Sequence, residues 1–117
     1  MDLRLFIKNA IAAFPDGIRT EAVAVAASDL GLSLSQFCDA FAKEVDDGFL
    51  AGRYSWSDGD VAMNALWGYI SRSLMKDTPI PDYAFGVFLA FDAGETIHEK
   101  GSVAKTTELL NALHEKA

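Results

Sequence analysis

Few residues in this chain are of a kind that does chemistry: the histidines His98 and His114, the single cysteine Cys38, and the run Asp58-Gly59-Asp60. Catalysis needs groups that exchange protons near neutral pH or that hold a metal from several sides at once. The two histidines form no HExxH pair, and a zinc site needs three or four ligands that the linear spacing does not offer. Both are read as surface residues. Cys38 falls on the apolar side of a helical pattern, where a free thiol behaves as a small core residue without the basic neighbour that would activate it. Asp58-Gly59-Asp60 lacks the rest of a twelve-residue calcium loop and its closing glutamate, so it reads as a turn leading into a helix, with Asp60 near the positive end of the dipole. No glycine-rich phosphate cradle is present. The expectation is a protein without enzymatic activity, cofactor or metal.

The totals agree with a binding role. The chain has 117 residues, half of them hydrophobic, which suits one domain with one moderate core. Its formal charge is −7, from 17 acidic against 10 basic side chains. Such a field repels nucleic acid and anionic membrane and attracts a basic partner. No apolar run is long enough to cross a bilayer, and Asp2, Arg4 and Lys8 break up the N-terminal apolar residues, so that segment reads as an amphipathic helix and not a signal peptide. A lone cysteine fits a reducing compartment, and the expected location is the cytoplasm.

The elements follow from periodicity. Leu3, Phe6, Ile7, Ala10, Ile11 and Phe14 form a helical stripe stopped by Pro15-Asp16-Gly17. A second helix is expected from an N-cap at Thr20 to Gly31, and a third from the capping-box pattern Ser33/Gln36, with Leu34, Phe37, Cys38, Phe41 and Val45 inward and Gly48 as its end. Residues 49–57 read as a short β-hairpin or an ordered loop. From about Asp58 a fourth helix buries Val61, Ala62, Ala65, Leu66, Tyr69, Ile70 and Leu74 until KDTPIP breaks it. The segment YAFGVFLAF, entered through Pro81 and Asp82, is apolar nearly all round and belongs in the middle of a bundle. Ser102 reads as the cap of a last helix whose Val103, Leu109, Leu110 and Leu113 face inward. The expected fold is all-α, five to six helices in a single domain spanning 1–117.

An alternative arises within SLSQFCDAFAKEVDDGFLAGRYSW, residues 33–56, which with the helix before it has the outline of a winged helix and hence of a DNA-binding transcriptional regulator. The face opposite the core stripe of the third helix carries Ser35, Gln36, Asp39, Lys43, Asp46 and Asp47. A surface that binds DNA must neutralise phosphates, and this one offers one lysine among three aspartates. Reversing Asp39, Asp46 and Asp47 to lysine is expected to leave such a solvated face folded.

The sharper asymmetry lies between Lys76 and Lys100, where no lysine or arginine offsets Asp77, Asp82, Asp92, Glu95 and Glu99. Tyr54, Trp56, Trp67 and Tyr83 stand outside the clearest core stripes. Acidic side chains that steer, with aromatic anchors among them, suit a surface for a basic protein. The expected partner-binding residues are Asp82, Tyr83, Asp92, Glu95 and Glu99, and beside them an acidic loop region with Asp46, Asp47, Tyr54, Trp56, Asp58 and Asp60.

The segment AMNALWGYISRSLMKDTPIPDYAFGVFLAFDAGE, residues 62–95, resembles the small acidic helical immunity proteins of bacterial polymorphic-toxin and contact-dependent inhibition systems. The likeness rests on a short helix, a proline-rich turn and PDYAFxVFLAFDxGE. It implies a non-enzymatic cytoplasmic inhibitor that binds a basic cognate toxin domain by protein–protein contact. It assigns no contact residue.

Overall fold

The computed structural model describes residues 1–74, 80–95 and 99–115, except for the side chains of 99–101. Six helices form among them. Asp2 caps α1 (Leu3–Ala12) by accepting from the amides of Arg4 and Leu5. The helix α2 (Thr20–Leu30) begins at its expected cap, so that Arg19 holds the N-cap position, and the Thr20 hydroxyl meets Ser73 Oγ at 3.0 Å. Gly31 ends α2 in the left-handed conformation, φ 69°, as its residue type predicts. Ser33 and Gln36 close a full capping box on α3 (Leu34–Leu50). Ser55 caps α4 (Trp56–Ser73). Then follow α5 (Asp82–Glu95) and α6 (Glu99–Glu115).

The hairpin expected at 49–57 is not formed, and no strand occurs among the described residues. Phe49 and Leu50 complete α3, 51–55 make a turn, and Trp56 already belongs to α4. Gly48 does not stop α3. It lies inside the helix, where the Tyr54 ring folds back so close to its backbone that a Cβ would collide with it. A glycine read as a breaker serves as a landing site.

In the core, Phe37, Cys38, Phe41 and Val45 are fully buried, and Phe6 meets Phe37 and Phe41 edge-on at centroid distances of 5.3 and 6.2 Å. Three residues expected inward fall outside it: Phe14 is exposed beyond the end of α1, Leu34 lies exposed in the first turn of α3, and Val103 faces solvent on α6. The apolar α5 sits in the middle, packed against α3, α4 and α6. Its Gly86, Ala90 and Gly94 form a small-residue stripe that lets α6 approach closely. A Cβ at Gly94 would stand 2.7 Å from Thr106 Oγ1. Thr106 donates its hydroxyl to Ala90 O at 2.9 Å and accepts from Trp56 Nε1 at 2.9 Å. Ser102, expected as a cap, lies within the first turn of α6 and donates to Gly94 O at 2.5 Å.

This packing removes the winged-helix alternative. A recognition helix must lie free on the surface, whereas α3 is covered by α1, α2, α4 and α5 and no wing follows it. The fold is an all-α single-domain bundle. Among the described residues no helix is long and apolar enough to cross a membrane.

Candidate functional site

The residues expected to meet a partner separate into three places. The first is interior. Asp46 is 0% exposed, at the margin of α3 that faces α5 and α6. Its Oδ2 accepts from the Tyr83 hydroxyl and lies 2.5 Å from His114 Nε2. Asp46 and Tyr83 are therefore structural partners, not a solvated acid and a free anchor. Burial first, then the Asp46 hydrogen bond and charge, push the Tyr83 phenol far above its ordinary range. His114 is likewise no plain surface residue, and Asp47, beside it, pairs with Lys43 Nζ at 3.1 Å. Two helical turns before Asp46, Asp39 Oδ1 accepts the Ala84 amide at 3.0 Å and so caps α5 from another helix. The expectation that charge reversal at Asp39, Asp46 and Asp47 leaves the fold intact is thus corrected for the first two, which hold buried or helix-end donors.

The second place is the turn before α4. Glu44 accepts from Tyr54 Oη at 2.8 Å, and its carboxylate binds Arg53 at 3.1 Å and Arg4 at 3.3 Å. Tyr54 is held, its phenol pushed up to about 12 by burial and by Glu44. Asp58 is exposed in the first turn of α4 and shares a shallow hollow with Arg4, Lys8 and Arg53, so its surroundings are mixed in charge. Trp56 is tied to Thr106. Asp46, Asp47, Asp58 and Asp60 do not form one acidic loop.

The third place is the seam of α4 and α5. Positions 60, 64, 67 and 71 share one side of α4, and 85, 88, 89 and 92 one side of α5. Trp67 joins the two, stacked on Phe88 at 4.9 Å and tilted against Phe85 at 5.2 Å, and all three rings are partly exposed. Leu89 is 43% exposed beside them. At the other end Asn64 Nδ2 donates to Glu95 Oε1 at 3.0 Å, and Asp60, Asp92 and Glu95 gather. Asp92 and Glu95 are both exposed. Asp82 is exposed at the start of α5, away from this cluster. The Glu99 side chain, Asp77, His98 and the first four residues of the KDTPIP break, 76–79, lie outside the described residues. Trp67, Phe88 and Asn64 are the additions the fold makes. Only Trp67 had a signal in the sequence, as an aromatic off the core stripes.

Asp60 does not serve the α4 dipole as expected; Asp58 holds the first turn. The Asp60 carboxyl is pushed up to about 7, by burial first, then by its hydrogen bond with Glu95 and the charges of Glu95 and Asp92, against the Asn64 hydrogen bond that lowers it. The folded chain therefore keeps a proton that the unfolded chain gives up near 3.8, and this carboxyl's contribution to stability is full below that value and is lost as pH rises to about 7. Asp60→Asn supplies a permanent donor to Glu95. Its melting temperature is expected to fall less than the parent's between pH 5 and pH 8, with a gain of about 1–2 kcal/mol at the upper end after solvent screening. Parallel pH curves for the two proteins would rule the shared proton out.

Fold and site thus define a small all-α bundle with an acidic, aromatic-lined seam between α4 and α5. Among family models, curated proteins and solved structures, none matches this chain.

Proposed function

We propose that the chain is an immunity protein, a non-enzymatic inhibitor that docks a basic toxin domain on the α4/α5 seam. The observation that carries this reading is the placement of Asp92 and Glu95, exposed and three residues apart, on the same seam as the partly exposed Trp67–Phe88 stack and the exposed Leu89. Paired carboxylates orient a lysine or arginine, and a rigid aromatic pair beside them supplies area that loses little entropy on binding. The resemblance at residues 62–95 falls on these same two helices. No lysine or arginine stands between Lys76 and Lys100 to weaken the field.

A photo-crosslinking residue in place of Leu89, introduced in the native host, is expected to capture a basic protein whose association slows as salt rises. Against that protein, Asp92→Asn with Glu95→Gln should weaken binding by about tenfold or more, about 1.4 kcal/mol or more. Asp29→Asn with Glu115→Gln, exposed on α2 and α6, should not. Equal affinity for both double variants would move the surface off this seam. Capture of double-stranded DNA with no basic protein would support a regulator instead.

A further inference from the structure

The α3–α6 contact brings together what linear spacing kept apart. Asp46, Asp47 and His114 each offer a ligand atom, and the three atoms lie within 4.8 Å of one another. Three acid and imidazole groups can gather for structural reasons alone, but Asp46 carries a second observation. Its side chain is wholly buried, and its Oδ2 serves both Tyr83 and His114. Its Oδ1 is equally shut off from water and has no hydrogen-bond partner among the described residues. Leaving half of a buried carboxylate without a donor is costly, and native structures rarely do so without an ion or water to complete it.

We propose that Asp46, Asp47 and His114 bind one divalent first-row transition-metal ion, with zinc the best fit, and so fasten the end of α6 to α3. Imidazole with two carboxylates suits zinc and its neighbours, whereas magnesium and calcium prefer sites made of oxygen alone. Three protein ligands leave a position for water. Asp46 Oδ1 gains the partner that the fold withholds from it, and the Tyr83 hydroxyl on Oδ2 orients the carboxylate from behind, the usual work of an outer-shell hydrogen bond. An ion reaches the site from solvent through the other two ligands, the Asp47 side chain being 46% exposed and that of His114 35%, and it would take the place of the present contact between His114 Nε2 and Asp46 Oδ2. Lys43 now pairs with Asp47 and would compete with it. This site is distinct from the α4/α5 seam and does not depend on what the seam binds.

The test is calorimetric titration of the purified full chain with zinc, together with the visible spectrum of its cobalt(II) form. The expected result is one ion per chain, cobalt bands of an imidazole–carboxylate site, and no response to magnesium. Asp47→Asn, at a position whose loss leaves the core untouched, should weaken zinc about tenfold to a hundredfold. His114→Gln should remove the cobalt bands, Lys43→Met should tighten binding, and His98→Gln should change nothing. Melting temperatures measured in chelator confirm that each variant is folded. The proposal is overturned if no stoichiometric ion binds, if binding survives both Asp47→Asn and His114→Gln, or if His98→Gln removes it.

Discussion

Asp46→Lys is expected to cost about 3–5 kcal/mol, a large part of the ~5–15 kcal/mol that holds a domain of this size together, while Asp47→Lys stays within about 1 kcal/mol. The two aspartates are neighbours in sequence, yet one is wholly buried and the other faces solvent and Lys43. Lysine at the buried position would place an ammonium beside the donors of Tyr83 and His114 and would strip both of their shared acceptor. Urea denaturation of both variants in chelator measures the difference. Coincident midpoints would mean that Asp46 reaches water in solution.

Phe41→Ala should be of similar size, about 3–5 kcal/mol, because the ring is fully buried between Phe6 and Phe37 and its removal leaves a cavity as well as lost transfer energy. The same truncation at Phe88 should cost about 1–2 kcal/mol. That ring is only partly buried on the α4/α5 seam, where it stacks on Trp67 and touches the core from its rim. A Phe88→Ala variant as unstable as Phe41→Ala would place Phe88 inside the core and leave the seam without its aromatic floor.

These pairs show what periodicity can and cannot reveal. The capping box at Ser33, the left-handed Gly31 and the central position of α5 were readable, because each depends on residues a few positions apart. The side of α3 that carries Asp39 and Asp46 was misassigned for a physical reason. A helix with neighbours on two sides buries an arc wider than its apolar stripe, and polar residues at the margin are then completed by distant groups. Here those groups are the Ala84 amide, the Tyr83 hydroxyl and the His114 ring, and nothing near Asp46 in the chain announces them. The wing failed for the opposite reason. Gly48 was legible as a glycine, but whether it breaks a helix or admits a ring depends on where Tyr54 goes. In the seam, Asp92 and Glu95 were legible as a helical pair, whereas Asp60 and Asn64 join them only because α4 runs back along α5.

The unequal company of the helices has a consequence for motion. Because α5 is sheathed by α3, α4 and α6, its amides meet solvent only when several neighbours part together, so its opening approaches global unfolding. The small helix α2 rests mainly on α3 and can lift away while the rest stays shut. The seam of α4 and α5 has the enclosed α5 as one wall and so keeps the same shape from one encounter to the next, as a preorganised surface must.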